Sequence, residues 1–278
     1  MADHPSAPII VFSHANSFPA STYRTLFQTW EAAGYTVLAI DRFGHDPRYP
    51  VTDGWPHLVA QLHDFITRHS TQPVYLVGHS LGGYLSLMLA QRHPDLSRGV
   101  IVLDSPILQG WRRAALGLAK RTPWIDRVMP SRVSAQRTHE WISQDAVQSH
   151  FSSKPKFAAF APEVLSDYLR HGTEDHPVQP QGRRLRFDRT IETAIYNTLP
   201  VDLLRAYQRR PPGCPLAFVA GTRSRELRRV GLSGVQQVFG TSISWIEGSH
   251  LYPFEAPDLT ATEVLRWLAR FRTDLVSH

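Results

Sequence analysis

At 278 residues the chain is long enough to bury a large core, as one domain or as one domain with a sizeable insertion. A hydrophobic share of 42% against 19% charged residues describes an ordinary soluble globular protein. No stretch approaches the ~20 apolar residues of a membrane span, residues 9–12 are too short an apolar run for a signal-peptide core, and the single cysteine, Cys214, excludes an internal disulfide.

These features lead to the expectation of a cytoplasmic protein. The formal net charge is +6, with arginines grouped at 183–184, 209–210 and 223–229. A basic surface of this kind can steer anions. No nucleic-acid motif accompanies it, so no nucleic-acid partner is expected.

In chain order, buried-strand runs fall at 9–13, 36–40, 74–78, 99–103, 216–220 and 243–246. Between them lie apolar stripes at helical spacing. Tyr23, Leu26, Phe27, Trp30 and Ala33 form one, closed by Gly34; Trp55, Leu58, Val59, Leu62, Phe65 and Ile66 form the next. Tyr84, Leu85, Met88 and Leu89 follow, and the last stripe is Ala261, Val264, Leu265 and Leu268. Strands alternating with helices predict a mostly parallel sheet of about six strands with helices on both faces. From Asp104 to about Pro212 the strand rhythm stops, and aromatic residues such as Trp141, Phe151, Phe157, Phe160 and Tyr168 sit among helix-like pieces. This stretch starts and ends at the carboxyl edge of the sheet, where open α/β sheets bind ligands. It is read as an inserted helical cap, so that a core of 1–104 and 213–278 carries a cap at 105–212.

The most informative motif is Gly78-His79-Ser80-Leu81-Gly82-Gly83, which follows the third strand run and opens the third helical stripe. Strand, sharp turn and helix form the context that a G-x-S-x-G nucleophile elbow requires. Glycines at 78 and 82 let the backbone pinch tightly and hold the Ser80 hydroxyl exposed at the sheet edge.

The elbow, the alternation of strands and helices, and a late histidine together resemble the α/β-hydrolase superfamily. The resemblance implies that His250, in Glu247-Gly248-Ser249-His250-Leu251-Tyr252-Pro253 after the last strand, is the general base for Ser80. It implies an oxyanion hole from the backbone N–H groups of Asn16, in the loop Ser13-His14-Ala15-Asn16-Ser17-Phe18-Pro19, and of Leu81. His14 is read as a packed loop residue. For the acid, the position that many relatives use holds Ser224, which carries no charge. Two candidates remain: Asp104, at the end of the strand after the nucleophile helix, is favoured, and Glu226, two residues beyond the usual site, is the alternative.

The expected activity is hydrolysis of a small or medium, partly apolar carboxylic ester through an acyl-enzyme on Ser80. No cofactor and no metal are called for, and the chain is expected to act as a monomer or homodimer. A cofactor-free haloperoxidase-like activity, carbon–carbon bond hydrolysis, or a ligand receptor on the same fold would use the same residues. Dehalogenases and epoxide hydrolases of this fold use an aspartate at the elbow, where this chain has Ser80.

Overall fold

A computed structural model describes residues 7–120 and 131–276. The first half of the core runs β1 (Ile9–Ser13), α1 (Arg24–Ala32), β2 (Thr36–Ala39), α2 (Pro56–His69), β3 (Val74–His79), α3 (Leu81–Arg92) and β4 (Ser97–Leu103). A long excursion follows, with short helices and the strands β5 (Glu140–Trp141), β6 (Thr173–Asp175) and β7 (Arg183–Leu185). The chain returns through β8 (Leu216–Gly221) and β9 (Ile243–Ile246) and closes with the helix Pro257–Val276.

The main sheet has six strands in the order β2-β1-β3-β4-β8-β9, every pair parallel. The six predicted strands are therefore all present. Parallel strands covered on both faces must be apolar on both, and the central strands β1, β3, β4 and β8 are, whereas the edge strands β2 and β9 are partly exposed. Along β1, Ile10 and Phe12 point into one core layer and Val11 into the other. Tyr75 and Val77 of β3 oppose Val74, Leu76 in the same way, and Ile101 and Leu103 of β4 oppose Val100 and Val102. The first layer packs Trp30 of α1 and Val264 and Leu268 of the last helix; the second packs Leu58, Leu62 and Ile66 of α2 and Leu85 and Leu89 of α3.

The chain leaves β1 to one side for β2 and comes back on the other side as β3. Loops diverge at such a switch, and the crevice between the carboxyl ends of β1 and β3 is where this class of sheet binds ligands. The loop after Ser13 and the elbow at Ser80 meet there, where the Gly82 N–H reaches the His14 carbonyl.

The excursion between β4 and β8 is not purely helical. Its strands pair as a small antiparallel sheet in the order β5-β7-β6. Strands of two or three residues are too short to display an alternating pattern, so the sequence shows helix-like pieces alone. Among the described residues no helix is long and apolar enough to cross a membrane.

Candidate active site

Strand register sets the positions of the reactive groups before any side chain is considered. In the β3–β4 pair His79 lies opposite Leu103, so the next residues, Ser80 and Asp104, leave neighbouring strands side by side. The Ser80 N–H donates to the Leu103 carbonyl at 2.9 Å, and the Asp104 N–H donates to Val219 of β8 at 2.9 Å. Both residues turn sharply there, at φ 54° for Ser80 and φ 50° for Asp104. Side-chain-bearing residues rarely adopt this left-handed region, at a cost on the order of 1–3 kcal/mol each.

The turn at Ser80 exists because its flanks have no Cβ. A Cβ at Gly78 would overlap the Gly82 carbonyl, and one at Gly82 would overlap the Ser13 carbonyl in the loop after β1. The Gly82 N–H donates to the His14 carbonyl at 3.1 Å, and the Ser105 hydroxyl donates to the Ser80 carbonyl at 2.7 Å. The elbow is thus pinned from both neighbouring strand ends.

His250 arrives from the loop after β9. Its Nε2 lies 3.0 Å from the Ser80 Oγ and its Nδ1 lies 2.6 Å from the Asp104 Oδ2. A carboxylate only accepts, so Nδ1 carries the hydrogen and Nε2 presents its lone pair to the Ser80 hydroxyl. Asp104 is fully buried. Its other bonds come from the Gly221 N–H (2.9 Å, to Oδ1) and the Ser224 hydroxyl (2.6 Å, to Oδ2). Burial on its own would lower the His250 pKa, but the bond to Asp104 and that carboxylate's charge outweigh it, and the net shift is upward.

Of the two acid candidates, Asp104 reaches His250. Glu226 is exposed and acts on His250 through its charge at longer range. Ser224, where relatives place the acid, supplies a hydroxyl to Asp104 while capping the helix Arg225–Val230. The sequence signal for that role was present, since a hydroxyl stands where a charge is usual, but it points to Asp104 only once the β4–β8 register brings the two strand ends together.

Leu81 directly follows Ser80, and Asn16 lies in the loop after β1 whose His14 carbonyl accepts the Gly82 N–H. Among the described residues neither the Asn16 nor the Leu81 N–H is spent on the backbone hydrogen bonds of turns, loops and caps. The Asn16 side chain donates from Nδ2 to the Glu192 carbonyl at 3.0 Å. The next residue, Ser17, has φ 78° and donates its hydroxyl to Glu192 Oε1 at 2.5 Å. The second oxygen of Glu192 accepts from Arg137 at 2.8 Å, and Arg137 also donates to the Tyr168 hydroxyl at 3.1 Å. Glu192, buried, and Arg137, half-buried, both belong to the excursion, so the loop after β1 is clamped by that segment. His14 is buried and neutral; its Nε2 accepts the Phe43 N–H at 2.9 Å, and burial lowers its pKa to about 4.

A second polar chain runs beneath the site, and the sequence does not disclose it. His79 Nε2 lies 2.9 Å from the His250 carbonyl, which fixes the hydrogen on Nε2. Its Nδ1 then accepts from the Tyr23 hydroxyl at 2.8 Å, and that oxygen accepts the Ala15 N–H at 3.1 Å. Burial first, and the charge of His250 second, hold the His79 pKa well below the usual histidine value. A neutral imidazole therefore joins the loop after β1 to the histidine loop.

With this geometry in place, comparison with known proteins is informative. The family described as "Alpha/beta hydrolase family" matches residues 10–263, and the chain belongs to it. Over 100 residues it is 36% identical to a pyrethroid hydrolase of Sphingobium wenxiniae, covering 34% of this chain and 35% of that protein. Over 154 residues it is 29% identical to a type I acyl-CoA thioesterase of Penicillium brevicompactum, covering 51% of this chain and 34% of that one. The matched stretches span about a third of the length of these curated relatives. Among solved structures, E-2-(acetamidomethylene)succinate hydrolase superposes with a TM-score of 0.75 at 19% identity, over 94% of this chain and 91% of that one. That likeness concerns the fold.

Proposed function

We propose that this chain is a serine hydrolase that cleaves a carboxylic ester by acyl transfer, with Ser80 as nucleophile, His250 as general base and Asp104 as the acid. The observation that carries the reading is the unbroken line from Ser80 Oγ through the His250 ring to Asp104, at 3.0 and 2.6 Å. In this reading His250 Nε2 takes the hydroxyl proton as Oγ bonds to the substrate carbonyl carbon. The carbonyl π electrons move to oxygen, and the oxyanion is met by the N–H groups of Asn16 and Leu81. Collapse of the tetrahedral adduct breaks the bond to the alcohol oxygen, which receives the proton back from Nε2. Water then repeats the sequence on the acyl-enzyme: His250 removes its proton, the acid leaves, and the Ser80 oxygen is reprotonated.

Asp104 serves this cycle by accepting the Nδ1–H, which holds the ring in the tautomer with a bare Nε2 and stabilises the imidazolium. The raised His250 pKa agrees with that role. The excursion between β4 and β8 serves as a cap. It reaches the loop after β1 through Glu192 and the histidine loop through the bond from the Ala161 N–H to the Phe254 carbonyl. Aromatic side chains gather at that junction. Phe18 lies 4.7 Å from Phe254 between ring centres, and Phe160 lies 5.0 Å from Phe254.

The reading is tested with chromogenic esters of graded acyl length on the wild-type chain and on Ser80→Ala. Turnover by wild type with a loss of roughly 10⁴-fold or more in Ser80→Ala supports it. Turnover that survives the substitution contradicts it.

A further inference from the structure

The charged groups around the cleft are mostly in pairs. Arg137 is taken by Glu192, Arg24 by Asp167, and Arg186 by Asp41. Lys156, on the short helix Pro155–Ala158 of the excursion, is different. Among the described residues no carboxylate lies within 4.0 Å of it and no group hydrogen-bonds it. Its ammonium instead stands 5.2 Å from the ring centre of Phe18 and 5.8 Å from that of Phe157.

The location is informative because Phe18 belongs to the loop after β1, two residues beyond Asn16. Its ring packs on Phe254, four residues beyond His250. Lys156 thus lies over a ring wedged between the two loops of the proposed site. Its charge is felt at both His79 and His250, although the side chain is exposed. Loss of water around the head group, then the charge of Arg137, lower its pKa. A half-desolvated cation held by two aromatic faces gains about 0.5–2 kcal/mol from them. That leaves the three N–H donors of the ammonium available.

We propose that Lys156 recognises a carboxylate on the substrate, so that the preferred ester carries an acid group in its acyl or alcohol arm. This inference rests on the hydrolase reading above and narrows its substrate class. Two carboxylates of the protein also feel Lys156. Glu192 is committed to Ser17 and Arg137, which leaves Glu226 as the competitor. Glu226 is exposed on the core side and exerts its charge on both Lys156 and His250. A substrate carboxylate must therefore reach Lys156 on the excursion side of the cleft, away from Glu226.

Matched substrates provide the test: mono-4-nitrophenyl adipate against 4-nitrophenyl hexanoate, and 4-carboxyphenyl hexanoate against phenyl hexanoate. The quantity read is the ratio of kcat/KM for the acid-bearing ester to that for its neutral partner. Hydrogen bonds to charged groups predict a ratio of about tenfold to a hundredfold in at least one pair for wild type. Lys156→Met should bring that ratio down toward one, Lys156→Arg should retain most of it, and Glu226→Gln should raise it. Ratios near one in both pairs for wild type would overturn the inference, as would a preference that Lys156→Met leaves intact. Equal losses for neutral and acidic esters in both Lys156→Met and Glu226→Gln would also overturn it, since they would mean that the two side chains close on each other. In these last cases neutral esters are still hydrolysed and the hydrolase reading stands. If no ester is turned over and Ser80 is not labelled by a fluorophosphonate, both fail.

Discussion

Ser80, Asp104 and Leu81 are set in place by strand ends, whereas the facing wall, Asn16 and Ser17, is held by side chains of the excursion. On the first side the positions follow from the β3–β4 and β4–β8 registers and from backbone hydrogen bonds to Leu103 and Val219. On the second, a loop with a left-handed residue, Ser17, is secured by Glu192 and Arg137, more than a hundred residues away in sequence. Strand ends move little, because any shift breaks several ladder bonds at once. A wall held by one buried carboxylate can be altered by one substitution. On the proposed reading, changes in the excursion should tune which substrate fits, while Ser80 and Asp104 stay where the sheet puts them.

The largest way to break that contrast lies on the strand side. Asp104→Asn should lower kcat about 10⁴-fold, whereas Glu226→Gln, on an exposed side chain without contact to His250, should change it less than about tenfold. The same pair separates in pH dependence. In the proposed mechanism activity needs a neutral His250, and the bond to Asp104 with that carboxylate's charge raises the His250 pKa against the effect of burial. The wild-type rate should therefore rise with pH through an apparent value above the ordinary 6.5. In Asp104→Asn the residual activity should rise at lower pH, since burial is then opposed only by the more distant charge of Glu226. A profile that stays in place would show that Asp104 does not touch the titration of the base.

Next in size is the clamp. Glu192→Gln keeps an acceptor for Ser17 but weakens the tie to Arg137, and Ser17→Ala removes the bond outright. Both should lower kcat more than they raise KM, by roughly tenfold to a hundredfold, because a displaced Asn16 N–H meets the oxyanion poorly. A pure KM effect would mean that the clamp orders substrate contacts instead.

How much of this was legible in the sequence divides along the same line. Short continuous apolar runs and glycine punctuation are local signals, so all six strands and the elbow at Ser80 could be read directly. His250 could be placed by chain order and loop context. The sequence favours Asp104 over Glu226 without settling the choice, because it depends on which strand ends are neighbours. The Ser17–Glu192 bond and the His79–Tyr23 chain join residues 175 and 56 positions apart. No periodicity connects such pairs, and β5 to β7 are too short to have any.

The smallest effect sharpens the comparison from beneath the site. Tyr23→Phe removes a hydroxyl that both donates to His79 and accepts from Ala15. It should lower unfolding stability by about 1–3 kcal/mol, measured by denaturant titration, and leave the His250 contact with Asp104 intact. An effect on kcat as large as that of Asp104→Asn would place the His79 chain in the chemistry itself.

The central claim is that the Ser80 hydroxyl is the nucleophile, and covalent capture addresses it most directly. The protein is treated with a fluorophosphonate, its intact mass is measured, and the adduct is located by peptide mapping. The account predicts one adduct per chain, on the peptide that contains Ser80, absent in Ser80→Ala and formed far more slowly in Asp104→Asn. An unmodified wild-type chain, or an adduct that persists in Ser80→Ala, would contradict it.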